Sequence, residues 1–175
     1  MKMPTIAETI DFITEAHAGQ VDKDGTAYHL HPIAVMRRLP ADIADEIKIA
    51  ALLHDVLEDT PVTRDQLAAM GYSARTLDAV ELVTIKRGDA RTYADKIDAL
   101  IVSGNRDAIT IKYADMSENT DPQRLANLPP DLRQHFEKKY VAPKEALQRA
   151  LEHFPSDVNR NGHRGIPTSA QVRLN

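Results

Sequence analysis

The sequence predicts an all-α fold, and three observations carry that expectation. Apolar residues recur at spacings of three and four through most of the chain. Residue types that start and stop helices fall at the ends of those stretches. No stretch alternates apolar and polar residues as a half-buried strand would, and no internal repeat is visible.

The elements follow in order. Ile6, Ile10, Ile13 and His17 share one helix face, with Thr5 as cap. Gly19 and Gly25 bracket a polar loop. Pro32 suits the first turn of a short helix running to Leu39, and Pro40 ends it. A helix from Asp42 or Asp45 to Leu57 is apolar around its whole circumference between Ile47 and Leu57, which predicts a central, buried position. Thr63 and Gln66 form a capping box, and Gly71 closes that helix. Helices are expected over 73–84, 92–102 and 106–119, with Tyr93, Ile97, Leu100 and Ile101 in the core. Pro122 and Pro129-Pro130 interrupt the chain before a last helix over 131–151, bent at Pro143. Residues 1–154 make one domain. Residues 155–175, polar with two glycines and two prolines, read as a mobile tail.

Composition narrows the chemistry. The 175 residues include no cysteine, so there is neither a disulfide framework nor a thiolate metal site. A net charge of −4 argues against a partner as anionic as duplex nucleic acid, while a small nucleotide needs only a local pocket or a metal. No apolar run reaches the roughly 20 residues of a membrane span, and Glu8 and Asp11 interrupt any signal-peptide core, so a cytoplasmic protein is expected. Assembly of identical chains is left open.

Three segments place polar groups where apolar ones would fold more cheaply. His31 stands at a helix start, His54-Asp55 with Glu58-Asp59 stand in and after the most apolar helix, and Asp115 lies late in another apolar helix. An isolated buried charge costs several kcal/mol, and a divalent cation compensates it. His54 with Glu58, and Asp55 with Asp59, are one turn apart and form adjacent stripes. A single His or Asp in a helix is ordinarily paired or exposed, and Asp115 has Lys112 three residues before it. The joint pattern is what points to a metal.

That pattern resembles the HD superfamily of metal-dependent phosphohydrolases, and within it the hydrolase domain of RelA/SpoT-type alarmone enzymes and the small stand-alone alarmone hydrolases. The matching segments are Ala16-His17-Ala18-Gly19-Gln20, Gly25-Thr26-Ala27-Tyr28 with His31-Pro32, Ala50 to Thr60 around His54-Asp55, and Ile111 to Asp115 with Asn119. They span residues 5–125. The resemblance implies an HD-domain helical bundle in which His31, His54, Asp55 and Asp115 hold one metal, Mn²⁺ in the alarmone group, with Fe²⁺ or Zn²⁺ also permitted by the ligand types. It implies Glu58 and Asp59 as acid/base residues, Asn119 at the nucleoside, and Lys23, Tyr28 and Lys112 lining the substrate pocket. Such an ion lowers the pKa of a bound water toward neutrality and draws charge off a phosphoryl oxygen. The implied reaction is removal of the 3′-diphosphate from guanosine 3′,5′-bis(diphosphate), and the chain's length implies a hydrolase without a synthetase domain.

The sequence departs from the pattern in three places. Asp22 stands where the alarmone group usually has Arg, Glu118 where it has His or Tyr, and Asp121 where it has Arg. Acids there would repel a polyphosphate, so another nucleotide or a phosphomonoester is the alternative substrate. A nucleotide- or metal-sensing module without turnover is the alternative of another class, opposed by the intact Glu58 and Asp59. Lys86, Arg87, Arg91 and Arg124 are further candidates to meet phosphates, set against an ordinary solvated face. His29, His135, His153 and His163 are given no role.

Overall fold

The computed structural model describes residues 2–86 and 88–153. The expected tail, with His163, and Arg87 lie outside the described residues. Among the described residues the helices are α1 (Ile6–Ala16), α2 (Leu30–Arg37), α3 (Asp45–Leu53), α4 (Val56–Asp59), α5 (Arg64–Ala69), α6 (Ala74–Val83), α7 (Tyr93–Val102), α8 (Arg106–Asn119), α9 (Pro122–Ala126) and α10 (Pro130–His153). Among the described residues the extended pairing is one isolated bridge, Val21 with Ala27. The all-α expectation holds. No helix among the described residues is long and apolar enough to cross a membrane.

Local chemistry explains the boundaries. Thr5, Thr63 and Thr92 each form a capping box, with Glu8, Gln66 and Asp95 respectively, closing backbone N–H groups that the first turn leaves open. Asn105 accepts from the Ala108 amide to cap α8, Asp121 accepts from the Gln123 and Arg124 amides to cap α9, and Pro122 follows at the first helical position, where its missing N–H is harmless. Gly71, at φ +97°, takes the left-handed conformation that ends α5. Helix α10 runs through Pro143 to His153 without a change of element.

Helix α3 is central as its sequence predicts. Ile47 and every residue from Ile49 to Leu53 are buried, and α3 packs against α1, α2, α6 and α8. Full burial of each large side chain there contributes about 1.5–3 kcal/mol. Helix α8 is the second axis, packing on α2, α6 and α10 through Ile109, Ile111 and Met116, all wholly buried. These two rigid elements carry His54 and Asp115.

Two elements differ from expectation. Pro122, expected to interrupt the chain, instead opens α9, because a proline at the first helical position needs no N–H. The helix expected to continue to Leu57 breaks at His54-Asp55, and α4 starts afresh at Val56. Asp55 sits at φ −100°, ψ −5°, outside regular helix geometry, and its carbonyl accepts from the amides of Glu58 and Asp59 at 3.1 and 2.9 Å. Apolar periodicity is blind to such a break, because Leu53 and Val56 are buried on either side of it.

Candidate metal and substrate site

The break turns two polar side chains toward α2 and α8. His54 is almost fully buried, and its Nδ1 lies 2.8 Å from the Ala51 carbonyl. A carbonyl only accepts, so Nδ1 carries the hydrogen and Nε2 presents its lone pair when the ring is neutral. That Nε2 is buried without a hydrogen-bond partner. It lies 2.9 Å from Asp55 Oδ2 and 3.9 Å from Asp115 Oδ1. His31 Nε2, from the start of α2, lies 3.3 Å from Asp115 Oδ1 and 3.8 Å from Asp55 Oδ2.

Ligand atoms of His31, His54 and Asp115 all fall within 4.8 Å of one another. Asp55 stands outside that trio but touches both imidazoles. The fold thus brings together all four residues that the sequence pattern joined. Two imidazoles and two carboxylates fit a divalent cation of the Mn²⁺, Fe²⁺ or Zn²⁺ kind. The orphaned Nε2 of His54 is where a ligand lone pair would point.

The electrostatics fit that reading. Burial disfavours a charged His54, but the Asp55 and Asp115 carboxylates outweigh it and raise its pKa to about 9. A cation among these groups would take the place of that proton. Burial also works against the charge on Asp115, yet Lys112 and the two histidines hold its carboxyl well below the usual range. Lys112 donates to Asp115 Oδ2 at 2.8 Å, and Asn119 Nδ2 donates to Oδ1 at 2.6 Å. Lys112 and Asn119, expected at the substrate, are thus both engaged with Asp115 while they line the same cavity.

Tyr28 links the carboxylates. Its hydroxyl lies 2.7 Å from Asp55 Oδ2 and 3.1 Å from Asp59 Oδ2. Its ring packs on His17, whose Nδ1 meets Gln20 Oε1 at 2.8 Å, and Gln20 Nε2 donates to the Asp59 carbonyl at 2.9 Å. The opening motif around His17 therefore braces the end of α4. Glu58 takes a different course from Asp59. It is half-buried and accepts the Ile85 amide at 2.9 Å, and burial raises its pKa above the ordinary carboxyl value. The two carboxylates thus occupy unlike environments, which suits unlike roles.

Tyr28, His31, Asp55, Glu58, Asp59 and Asp115 line a cavity of about 310 Å³, and Asp22, Lys23 and Arg124 contribute to its lining. Helix α10 adds Phe136, Lys139 and Tyr140, and α7 adds Tyr93. Tyr140 packs edge-on against Tyr93 and Phe136, and Lys139 Nζ lies 4.9 Å from the Tyr93 ring centre. Sequence reasoning missed this aromatic wall and took Tyr93 as core. The only signal was the four-residue step from Phe136 to Tyr140, which any amphipathic helix shows. Lys86 and Arg91 line a separate cavity of about 660 Å³, where Lys86 is 3.7 Å from Glu81 and Arg91 is paired with Asp89. That larger space shares Ile85 and Lys112 with the first and has no histidine in its lining.

The three departing acids are not bare charges. Asp22 pairs with Arg124, and Glu118 and Asp121 both pair with Arg38. The free carboxylates expected from the sequence are therefore corrected to paired ones, three acids sharing Arg38 and Arg124.

Comparison with known proteins agrees with the geometry. A guanosine-3′,5′-bis(diphosphate) 3′-pyrophosphohydrolase of Haemophilus influenzae is 36% identical over 132 residues, covering 71% of this chain and 19% of that protein. The protein of the same name designated MESH1 in Danio rerio is 42% identical over 84 residues, covering 45% of this chain and 46% of that protein. This chain is a sequence relative of the (p)ppGpp 3′-pyrophosphohydrolases. It spans 19% of the length of the Haemophilus influenzae relative and 23% of that of the Escherichia coli protein SpoT, a bifunctional (p)ppGpp synthase/hydrolase 32% identical over 163 residues. A solved structure described as a metazoan ortholog of SpoT that hydrolyzes ppGpp superposes with a TM-score of 0.65 at 22% identity, covering 87% of this chain and 95% of that one. That likeness establishes a shared HD-domain fold. No family model matches the chain.

Proposed function

We propose that the protein is a metal-dependent phosphohydrolase that removes the 3′-diphosphate from guanosine 3′,5′-bis(diphosphate). The observation that carries this reading is the convergence of His31, His54, Asp55 and Asp115, with the buried Nε2 of His54 left without a hydrogen-bond partner. The names of the relatives supply the substrate, and the cavity's size and mixed lining suit a nucleotide.

A divalent cation held by these four residues, Mn²⁺ in our reading, supplies Lewis acidity toward a phosphoryl oxygen and a more acidic water. The protein's own groups do the remainder. Asn119 and Lys112 fix Asp115, and the Ala51 carbonyl fixes the His54 tautomer. Tyr28 holds Asp55 and Asp59 together. Glu58, with its raised pKa, carries the proton between the incoming water and the leaving ribose 3′ oxygen. Water's oxygen bonds to phosphorus, the bond from phosphorus to the 3′ oxygen breaks, and that oxygen takes up a proton. Pyrophosphate is released. A cytoplasmic nucleotide pool is the setting this reading calls for.

The test is release of pyrophosphate from guanosine 3′,5′-bis(diphosphate) by the purified protein with Mn²⁺. No release from that compound, together with release from another nucleotide, would retain the phosphohydrolase and discard the substrate. The paired Asp22 is the observation that favours this second reading. No release from any phosphate ester would overturn both.

A further inference from the structure

Glu58 lines two cavities. One is the candidate substrate cavity, and the other is a neighbouring space of about 640 Å³ whose lining includes Arg64 and Lys86. Asp59 lines both as well, but the Tyr28 hydroxyl holds it from the substrate side at 3.1 Å. Glu58 is held differently. Among the described residues, the one hydrogen-bond donor to its carboxylate is the backbone amide of Ile85, 2.9 Å from Oε2. Ile85 lines the same two cavities.

The end of α6 makes that amide available. The helix stops at Val83, and Thr84 takes an extended conformation at φ −69°, ψ 127°. The Thr84 amide still donates to the Val80 carbonyl at 3.1 Å, and the Thr84 hydroxyl donates to the same oxygen at 2.7 Å. In a helix that ran on, the Ile85 amide would turn to the Glu81 carbonyl, four residues back. The extended Thr84 releases it to Glu58 instead. Both residues are half-buried, so each polar group would lose solvent without gaining a partner if the contact were absent. A bond to a carboxylate is also charge-assisted and stronger than one to a neutral acceptor.

A carboxylate pinned through Oε2 does not exchange its two oxygens by turning about its last bond. Oε1 is then the atom left for proton exchange. Without the pin, the side chain has room to swing into the 640 Å³ space. We propose that the Ile85 backbone amide is a positioning group for Glu58, pinning Oε2 so that Oε1 faces the substrate cavity, takes the proton of the incoming water and returns it to the leaving oxygen. This rests on the phosphohydrolase reading with Glu58 as its proton carrier, and it names the group that orients that carrier.

The experiment measures kcat, KM and bound Mn²⁺ for Ile85→Pro and Ile85→Ala, each with and without Glu58→Gln. The substrate is guanosine 3′,5′-bis(diphosphate) or, if that is inert, the nucleotide that the unsubstituted protein hydrolyses. Proline removes the N–H, and the extended Thr84 suits a proline after it. Alanine removes the side chain and keeps the N–H. Ile85→Pro is expected to keep Mn²⁺ and KM while kcat falls by about 10- to 100-fold, the range for a hydrogen bond to a charged group. Ile85→Ala keeps kcat. On Glu58→Gln, Ile85→Pro causes no further fall, because the group it positions is already lost. An unchanged kcat in Ile85→Pro, an equal fall in Ile85→Ala, or the same fall with and without Glu58→Gln overturns the proposal alone. Where Ile85→Pro loses Mn²⁺, hydrogen exchange in the Zn²⁺-loaded protein decides. The Ile85 amide should be protected and should lose that protection in Glu58→Ala, and protection that is absent at the start or unchanged by Glu58→Ala overturns the proposal. No hydrolysis of any phosphate ester by the unsubstituted protein overturns it together with the reading beneath it.

Discussion

Replacement of Lys112 by Met is the sharpest probe of how Asp115 is balanced. Lys112 Nζ lies 2.8 Å from Asp115 Oδ2, with 9% and 6% of the two side chains exposed, so solvent screens the pair little. Burial alone would lower the Lys112 pKa, but Asp115 overrides it and raises the pKa above its usual 10.5. A raised lysine contributes fully below its unfolded pKa, and the lowered Asp115 contributes fully above its usual 3.8, so at pH 7 the whole interaction is present. Removing one partner of a buried pair costs about 3–5 kcal/mol. Asn119 and His31 still face Asp115, which puts the expectation at about 3 kcal/mol.

The assay is urea denaturation at pH 7, with chelator and with excess Mn²⁺, analysed by linear extrapolation. In chelator, Lys112→Met should lose about 3 kcal/mol, a fall in Tm of about 10 °C for a domain of this size. With Mn²⁺ the loss should shrink to about 1 kcal/mol, because the ion compensates Asp115 and binds the variant more tightly. Equal losses in the two conditions would refute the idea that Lys112 and the ion share Asp115.

Three other outcomes are expected. His54→Ala and Asp55→Ala should each lose bound metal, read by elemental analysis, together with activity, and metal retained at full stoichiometry would remove that residue from the ligand set. Glu58→Gln should keep the metal while kcat drops by about 10²–10⁴-fold, and an unchanged kcat would end its role in proton transfer. In chelator, His54 contributes stability that is complete below its unfolded pKa of 6.5 and lost as pH rises to about 9, so denaturation should be easier by about 3 kcal/mol at pH 9.5 than at pH 6. A His54→Asn protein with the same pH slope would contradict that assignment.

The amino-acid sequence alone marked most of the helices and singled out His31, His54, Asp55 and Asp115 as costly polar groups, which the family resemblance joined into one ligand set. Capping residues act within a single turn, and buried ionisable groups in apolar helices are costly enough to stand out against their neighbours. Thr5 with Glu8, and the apolar run before His54, are legible in that way. Only the tertiary structure decided what surrounds the site. The break at Asp55 interrupts no hydrophobic pattern. The partners of Asp22, Glu118 and Asp121 are Arg38, just past the end of α2, and Arg124 on α9, which lies 102 residues from Asp22, and side-chain pairing at such a distance leaves no local trace. Phe136, Lys139 and Tyr140 become a pocket wall because α10 packs on α7 and α8. The sequence supplied three acids where cations were expected, and that they are paired with Arg38 and Arg124 rather than free came from the segments that folded against them.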